Sequence, residues 1–214
     1  MQQLEMKQRL KLVELFNPVL SSCVDNCLDI DEGKLKHLFF REGVYCRSLE
    51  IKILSYALHQ VQGDYIEIGV QEGYTMLNIA RNNRDRVCYG VDFPENILMH
   101  KNQMCEKPTP TNVAHACRWE NNFMLILHNS WTVTIPKGVG MVFIDADHTY
   151  QGVKNDTENV LNQVEPGTLI FWHDYHNNLH NDYLRVNEYI DSEIRKIIPI
   201  FFFKNTWMIC GIKN

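Results

Sequence analysis

Two clusters of ionisable residues in the sequence each follow a short apolar run. Asp145, Asp147 and His148 come directly after the run 141–144, and His173 and Asp174 come after the run 168–172. If the two runs are neighbouring parallel strands, both clusters lie at the same edge of a sheet. Carboxylates and imidazoles gathered in one place repel or desolvate one another unless they share a cation or a substrate. Such ligands suit Mg²⁺, Mn²⁺ or Ca²⁺, so the pattern predicts a divalent-metal site that binds a substrate hydroxyl.

The same residues also have structural interpretations, which the sequence leaves open. Asp145 or Asp147 could cap the helix that is predicted to begin near residues 150–152. His173 directly follows Trp172 and could be a partly buried histidine with hydrogen-bond partners of its own. These interpretations compete with the metal site as long as the side-chain positions are unknown.

A glycine turn lies between a predicted strand and a predicted helix. Its residues are Glu67-Ile68-Gly69-Val70-Gln71-Glu72-Gly73. Glycine lets the backbone turn tightly and approach a ligand closely at the carboxyl end of a strand. A dinucleotide-binding fold needs glycine where this chain has Gln71, so a nicotinamide cofactor is disfavoured. The Glu67 carboxylate suits a cation instead, such as the ammonium group of a methionine moiety, bound directly or through water.

Asp92 ends the next predicted strand after the glycine turn. A carboxylate at this point of an α/β fold accepts hydrogen bonds from the hydroxyls of an unmodified ribose. One acidic group for an aminoacyl head and another for a ribose favour S-adenosylmethionine (SAM) over NAD.

The elements that must position these residues alternate between helix and strand. Apolar residues recur at helical spacing within 6–16, 49–58, 76–80, 153–164 and 183–194. Short apolar runs predict strands at 65–68, 87–91, 124–127, 141–144 and 168–172, followed by two strand-like runs at 198–204 and 207–212. The alternation predicts an α/β fold with a doubly wound, mainly parallel sheet, and the last two runs predict an antiparallel edge. The simplest division is a helical N-terminal extension (1–46) and one domain (47–214).

The composition of the 214-residue chain is that of a soluble globular domain, with 45% hydrophobic and 22% charged residues. A formal net charge of -5 gives no electrostatic reason to expect nucleic acid as a partner. The charged first residues lack the apolar run of a signal peptide, and no run is long enough to span a bilayer. We therefore expect a cytoplasmic protein that makes no membrane contact, with reduced cysteines such as Cys88 and Cys210 in its core.

Four pieces of the sequence together resemble the class I SAM-dependent methyltransferases. They are E-I-G-V-Q-E-G at 67–73, Asp92, F-I-D-A-D-H-T-Y at 143–150 and G-T-L-I-F-W-H-D at 167–174. The resemblance covers residues 47–214 and is strongest to the O-methyltransferase branch that includes the macrolide-sugar methyltransferases and the cephalosporin-hydroxylase-like proteins. It implies a Rossmann-like class I methyltransferase fold with a mainly parallel, seven-stranded sheet whose last strand is antiparallel.

The resemblance also implies roles for particular residues. Glu67, Gly69 and Gly73 would bind SAM, Asp92 would bind its ribose, and Asn129 and Ser130, which follow the third strand, would contact the adenine. Asp145 and Asp174 would hold Mg²⁺ or another divalent cation, together with His173, where related enzymes carry an acidic residue or an amide. Asp145 and His173 would thereby take part in catalysis. His148 stands where sugar-methylating relatives have a histidine that acts as general base, a role that suits an imidazole.

The predicted activity is O-methylation of a small hydroxylated acceptor, such as a sugar or a glycosylated metabolite. The segments 39–47 and 176–182 are candidates to fold over the cofactor or to select the acceptor. The N-terminal extension is a candidate lid or a contact surface in a homodimer. Two alternatives stay open: a protein that binds SAM without catalysis, and a metal-dependent hydroxylase that holds its metal through His148, His173 and Asp174.

Overall fold

The computed structural model describes residues 2–24, 27–35, 38, 46–93, 113–175 and 184–214. The candidate acceptor segment 176–182 and nearly all of the candidate segment 39–47 lie outside the described residues. The division of the chain between residues 46 and 47 stays a prediction.

Helices and strands alternate over most of the described chain. The helices are α1 (Gln2–Phe16), α2 (Ser48–Gln60), α3 (Tyr74–Asn82), α4 (Tyr150–Gln163) and α5 (Val186–Ser192), with short 3₁₀ turns at Glu32–Leu35 and Ile194–Lys196. The strands are β1 (Leu20–Val24), β2 (Cys27–Ile30), β3 (Asp64–Ile68), β4 (Cys88–Asp92), β5 (Phe123–Leu127), β6 (Val139–Ile144), β7 (Leu169–Trp172), β8 (Phe201–Phe203) and β9 (Ile209–Ile212). Within the described part of the chain, the helices are too short or too polar to cross a membrane.

The described strands form a single sheet with the order β1-β2-β8-β9-β7-β6-β3-β4-β5. Strands β3 to β7 pair in parallel with their neighbours, whereas β9 runs antiparallel to both β7 and β8. The seven strands from β3 to β9 confirm the predicted sheet, including its antiparallel last strand.

The N-terminal extension contains strands as well as the expected helix. Strands β1 and β2 form an antiparallel hairpin, and β2 pairs in parallel with β8 through Cys27–Phe202 and Leu28–Phe203. Only Leu28 and Ile30 of β2 are buried, in alternation with more exposed neighbours. An alternation over four residues is too short to be recognised from sequence, which is why the hairpin was not predicted.

Both faces of the central sheet are covered by helices. Tyr65, Phe143 and Phe171 pack with residues of α1, α2 and α3 on one face, and Ile66 and Val142 pack with residues of α4 and α5 on the other. Burial on both faces explains why the central strands are continuous apolar runs in the sequence.

The cysteines expected in the core lie there. Cys88 and Cys210 are buried free thiols, as predicted. Burial raises the pKa of the Cys88 thiol to about 12, so this group stays protonated at neutral pH.

The carboxyl ends of the parallel strands bring the candidate site together. Strand β3 lies between β4 and β6, so the order of the strands reverses at β3. Ligands of open α/β sheets bind outside the carboxyl ends at such a reversal. One edge of the sheet, which we call the carboxyl edge, holds the last residue of β4 (Asp92) and the residues that directly follow β3 (Gly69), β6 (Asp145) and β7 (His173).

Candidate functional site

Two carboxylates at the ends of β6 and β7 converge on the ring of His148. The Nε2 atom of His148 lies 3.3 Å from Oδ1 of Asp145 and 3.2 Å from Oδ2 of Asp174. Asp145, His148 and Asp174 each place one donor atom within 4.8 Å of the others. The two clusters that are distant in sequence therefore form one group of side chains, as predicted.

His173 approaches the same two carboxylates from the interior of the protein. Its Nδ1 atom lies 3.3 Å from Oδ1 of Asp145 and 3.5 Å from Oδ1 of Asp174. Its side chain is only 4% exposed, whereas that of His148 is 24% exposed. One histidine thus faces the solvent side of the acidic pair, and the other faces the core.

Glu50 of α2 holds the second ring nitrogen of His173, and the sequence reasoning missed it. Nε2 of His173 lies 3.2 Å from Oε2 of Glu50, whose side chain is fully buried. The backbone N–H of Trp207 donates to Oε1 of Glu50 at 2.7 Å, and the backbone N–H of Arg47 donates to Oε2 at 2.8 Å. Cys46 Sγ lies 3.6 Å from the same Oε2. The carboxylate is therefore fixed by two separate segments of the chain.

Pairing outweighs burial in setting the charges of these groups. Burial by itself raises the pKa of Asp145, but His173 and His148 reverse this shift and hold the pKa well below its usual range. Burial lowers the pKa of His173, but Asp145, Asp174 and Glu50 together raise it well above its usual value. The pKa of His148 is also raised, because Asp145 and Asp174 outweigh burial, and that of Glu50 is lowered by His173 against burial. Both imidazoles are therefore drawn toward the charged form beside ionised carboxylates.

The backbone at Asp174 adopts a left-handed conformation, with φ of 54°. This region is costly for residues other than glycine, and it is found most often where function demands it. The next residue, Tyr175, donates its backbone N–H to the Trp207 carbonyl at 2.9 Å, which fixes the chain after the turn. The side chain of Asp174 is thereby aimed at the two histidines.

The glycine turn packs directly against the acidic cluster. Gly69 has φ of 90°, and a Cβ atom there would collide with the carbonyl oxygen of Asp145. Gly73 has φ of 85°, and a Cβ atom there would lie 2.6 Å from Sγ of Cys117 and 3.0 Å from Cα of Ala114. Both glycines are therefore required by backbone conformation and by packing.

Asp92 binds the glycine turn from the neighbouring strand. Its Oδ2 accepts hydrogen bonds from the backbone N–H groups of Val70 at 3.0 Å and Gln71 at 2.7 Å, and its Oδ1 accepts one from Phe93 at 2.7 Å. Burial raises its pKa although these three hydrogen bonds oppose the shift. The acid predicted for the ribose thus lies beside the predicted turn.

Glu67 is less accessible than the sequence suggested. Its side chain is 2% exposed, and the Tyr65 hydroxyl donates to its Oε2 at 3.0 Å. Burial raises its pKa well above the usual value against the opposing effect of the Tyr65 hydrogen bond, and the charges of Asp145 and Asp92 raise it further. Glu67 is therefore a buried group whose charged form is disfavoured in this conformation, and not an open carboxylate. Its role in binding the cofactor stays a prediction.

The loop after β5 lies next to Asp92. The backbone N–H of His128 donates to the Asp92 carbonyl at 2.9 Å, and Oδ1 of Asn129 accepts from the backbone N–H of Trp131 at 2.9 Å. The Trp131 ring meets the Phe93 ring edge-to-face at 6.4 Å. Aromatic side chains can pack against a flat ring such as a nucleobase. The sequence reasoning did not single out Phe93 or Trp131.

Ser130 is turned toward α4. It is buried, and its carbonyl oxygen accepts a hydrogen bond from Nδ2 of Asn159 at 2.8 Å. Its hydroxyl lies near Asp156 and lowers the pKa of that acid, although not in the geometry of a regular hydrogen bond. The predicted contacts of Asn129 and Ser130 with an adenine stay predictions.

Asp147 has the structural role that the sequence left open. Its Oδ1 accepts the backbone N–H of Thr149 at 3.0 Å, and Oγ1 of Thr149 accepts the backbone N–H of Gly152 at 3.0 Å. Both bonds satisfy N–H groups at the start of α4. Asp147 therefore belongs to the helix cap, whereas Asp145 belongs to the acidic cluster.

A family comparison agrees with this geometry. The sequence profile of a family described as a methyltransferase domain matches residues 66–175, slightly more than half of the chain. The chain belongs to this methyltransferase family. The matched region contains the glycine turn, Asp92 and the cluster from Asp145 to Asp174.

Individual proteins resemble this methyltransferase at lower identity. The uncharacterized protein R132 of Acanthamoeba polyphaga mimivirus is 29% identical over 160 residues, which cover 68% of this chain and 70% of that protein. The Podospora anserina methyltransferase PaMTH1, solved with S-adenosylhomocysteine (SAH), is 13% identical with a TM-score of 0.57 and 78% coverage of both chains.

Two further solved methyltransferases extend this comparison of folds. The O-methyltransferase TomG from Streptomyces achromogenes, solved with SAM, has 12% identity, a TM-score of 0.54 and coverage of 78% of this chain and 81% of its own. The calicheamicin methyltransferase CalS11 has 13% identity, a TM-score of 0.54 and coverage of 98% and 92%. At these identities the solved structures show the fold alone, which is the class I methyltransferase fold predicted from sequence.

The side chains at the carboxyl edge of this methyltransferase fit a divalent cation. Two carboxylates and two imidazole nitrogens face one another within a few ångströms. Carboxylate oxygens alone favour Mg²⁺ or Ca²⁺, and the addition of imidazole favours Mn²⁺, Fe²⁺, Co²⁺ or Zn²⁺. Asp145 and Asp174 can supply the oxygen donors, and a ring nitrogen of either His148 or His173 lies close enough to complete the set, so the predicted metal site of Asp145, His173 and Asp174 stays a prediction.

Proposed function

We propose that this methyltransferase transfers the methyl group of SAM to a hydroxyl oxygen of a small acceptor, such as a sugar or a glycosylated metabolite. The observation that carries the proposal is the contact between the glycine turn and the acidic cluster, where Gly69 lies against the backbone of Asp145. A cofactor bound along the turn therefore lies beside the groups that can deprotonate an acceptor. Proximity of this kind is a large part of the catalysis of group transfer.

The cofactor is SAM in this proposal. Asp92 receives the ribose hydroxyls, and the loop at Asn129 and Ser130 borders the adenine. The hydrogen bonds that Asp92 makes to the turn support this assignment, because they fix its carboxylate next to the backbone that a nucleoside would contact.

His148 is the proposed acceptor of the hydroxyl proton. A cation held by Asp145 and Asp174 would offset the negative charge that draws the His148 ring toward its charged form. The neutral ring then takes the hydroxyl proton at Nε2, the oxygen forms a bond to the methyl carbon, and the bond from that carbon to sulfur breaks. The products are the methyl ether and SAH. His148 is partly exposed at the edge, and the Arg185 backbone N–H donates to its carbonyl at 2.8 Å, which fixes its position. A positioned imidazole commonly contributes roughly 10²–10⁴-fold to such a step.

Asp145, Asp174 and His173 are the proposed ligands of a divalent cation. When bound, the cation would supply positive charge that lowers the pKa of the acceptor hydroxyl. The two carboxylates also orient both histidines, since each ring nitrogen that faces the site lies within 3.5 Å of them.

Calorimetry and a transfer assay test the proposal. Purified protein is titrated with SAH, and methyl transfer from labelled SAM is then measured over a panel of sugars, glycosides and phenols. We expect SAH to bind at micromolar or lower concentration and His148→Asn to lose most of the transfer activity with little change in SAH affinity. Absence of SAH binding at high protein concentration would contradict the proposal.

An iron-dependent hydroxylase is the second candidate. The observation in its favour is that His148 and His173 both face Asp145 and Asp174, as in sites with two histidines and one carboxylate. Oxygen consumption by the Fe²⁺-loaded protein without methyl transfer from SAM would favour this candidate over the first.

A further inference from the structure

His148 and His173 present almost the same face to the acidic pair. Each places one ring nitrogen at 3.2 to 3.5 Å from Asp145 and Asp174. Either ring has the reach to be the nitrogen ligand of a cation between these carboxylates, and either has the reach to exchange a proton with an acceptor. Distances to the carboxylates therefore do not assign the two roles.

The environment of the remaining ring nitrogen separates the two histidines. Nε2 of His173 lies 3.2 Å from Oε2 of Glu50, whereas Nδ1 faces Asp145 and Asp174. When a metal ion replaces the proton on Nδ1, the ring would keep its N–H at Nε2 and donate it to Glu50. A histidine that binds a metal commonly donates its other N–H to a carboxylate, which fixes the ring and makes the ligand more basic. Glu50 and His173 have this arrangement.

Glu50 is itself held rigidly, as such an outer carboxylate must be. The backbone N–H groups of Trp207 and Arg47 donate to its two oxygens, and the side chain is fully buried. These bonds come from the chain between β8 and β9 and from the start of α2. Because two backbone hydrogen bonds fix the Glu50 carboxylate, His173 keeps this partner only in one orientation of its ring. The orientation of the ring is therefore fixed as well.

The side chain of His148 differs from that of His173 in its exposure to solvent. Its side chain keeps 24% of its exposure, compared with 4% for His173, and it lies in the loop that leads into α4. A group that passes a proton between acceptor and solvent needs such access, whereas a metal ligand does not.

We propose that Glu50 is a positioning residue that makes His173 the nitrogen ligand of a divalent transition-metal ion shared with Asp145 and Asp174, and that this leaves His148 for proton transfer. The inference rests on the metal site of the proposed function. It assigns a role to a residue on α2 that lies 123 positions before His173 in the sequence.

Metal binding in the absence of substrate tests the proposal. The full chain, freed of metal with a chelator, is titrated with Co²⁺ by calorimetry and by visible absorption. We expect Glu50→Gln to weaken Co²⁺ binding by about 10- to 100-fold and to shift the Co²⁺ absorption bands. His173→Asn is expected to weaken binding at least as much, whereas His148→Asn is expected to leave the affinity within about threefold.

Two controls separate positioning from general damage. Glu120→Gln removes the charge of a carboxylate that pairs with Arg81 at 2.7 Å, just before the amino end of β5, and it is expected to leave Co²⁺ binding unchanged. SAH affinity and the melting temperature are measured for every variant. A Glu50→Gln protein that binds SAH normally but has lost tight Co²⁺ binding supports the proposal.

The wild-type protein gives a test that does not depend on the folding of a variant. The proton spectrum of the Co²⁺-loaded chain is expected to contain a strongly shifted ring N–H signal that exchanges slowly with D₂O, because Nε2 of His173 is buried against Glu50. The signal is expected to persist in His148→Asn.

Defined outcomes would overturn the inference. Loss of Co²⁺ binding in His148→Asn but not in His173→Asn would reverse the two roles. Absence of any Co²⁺ binding by a protein that binds SAH would remove the metal ligand role of His173 and leave the methyl transfer proposal standing. Absence of SAH binding would instead count against the proposed function itself.

Discussion

At the ends of β3 and β4 the buried carboxyl groups are held by uncharged donors, whereas at the ends of β6 and β7 they are held by imidazoles. Glu67 receives the Tyr65 hydroxyl, Asp92 receives backbone N–H groups, and burial raises the pKa of both acids. Asp145 faces two histidines, and its pKa is lowered despite burial. Acidic residues at the same edge of the sheet thus have pKa values that are shifted in opposite directions.

The difference assigns separate tasks to the two halves of the carboxyl edge. Uncharged donors and a carboxyl group of raised pKa suit hydroxyls and other neutral polar groups, such as those of a nucleoside. Ion-paired carboxylates and imidazoles are groups that can bind a cation or take part in proton transfer. A methyltransferase needs one region that holds its cofactor and one that activates its acceptor, and the function that we propose gives these two tasks to the two halves.

The largest effect is expected from removing the charge of Asp145. Asp145→Asn leaves His148 and His173 without their shared partner, and we expect methyl transfer to fall by at least roughly 10²-fold. Asp147→Asn is the matched control, because Asp147 lies two residues away and caps α4. It is expected to keep most of the activity and to change stability by less than about 1 kcal/mol, because the side-chain oxygen of asparagine can accept the same hydrogen bond. Equal losses of activity in both variants would contradict the division.

The contact between the two halves can be broken at Gly69. Gly69→Ala places a Cβ against the Asp145 carbonyl at positive φ, so we expect the free energy of unfolding to fall by more than about 4 kcal/mol and SAH binding to be lost. Gly138→Ala has a similar φ of 82° but nothing within 4 Å of the new Cβ, and about 1 kcal/mol is expected. Chemical denaturation measures the free energy of unfolding of both variants. Similar losses in the two would show that the protein relieves the clash between the new Cβ and the Asp145 carbonyl.

Asp156 shows what burial does to a carboxyl group whose oxygens have no regular hydrogen bond within the described residues. It is 1% exposed, and burial raises its pKa from 3.8 to about 7. Between these values the folded protein keeps a proton that the unfolded chain has lost, so stability falls as the pH rises toward 7. Asp156→Asn is expected to gain roughly 2 to 3 kcal/mol over the wild type between pH 5 and pH 8. A difference that does not change with pH would refute the raised pKa.

The smallest effect is expected at Glu67. Burial disfavours the charged form of this acid, and Glu67→Gln keeps its shape and can still accept from Tyr65, so stability is expected to change by less than about 1 kcal/mol at pH 7. SAM affinity then decides the predicted cofactor role. Affinity within about threefold of the wild type indicates a structural group, and a loss of more than tenfold would mean that Glu67 ionises when the cofactor binds.

The sequence predicted the fold and the composition of the site where local rules apply. Apolar runs buried on both faces mark parallel strands, and residues that follow them share an edge, so Asp92, Asp145 and Asp174 were placed correctly relative to one another. The number of seven strands and the antiparallel last strand followed from the resemblance. The hairpin of β1 and β2 was not predicted, because its alternation is short and its partner β8 lies far away in sequence.

Glu50 shows why part of the site escaped prediction. Its partner His173 is brought to it only by the packing of α2 on the sheet, and no local motif links the two. A signal was nevertheless present: Glu50 lies at helical spacing from Ile53, Leu54 and Ala57, on the buried stripe of α2. An acid on an apolar stripe needs a partner in the core, and a buried histidine was the candidate.

The shared anchor at Glu50 has a consequence for communication across the protein. The backbone N–H of Trp207 and the ring of His173 both contact this carboxylate. The Arg47 guanidinium lies over the Trp207 ring, 4.3 Å from its centroid. A shift of the Trp207 main chain would stretch its hydrogen bond to Glu50, and Glu50 is also the partner of the His173 ring. One carboxylate thus joins the surface at Trp207 to the histidine at the carboxyl edge.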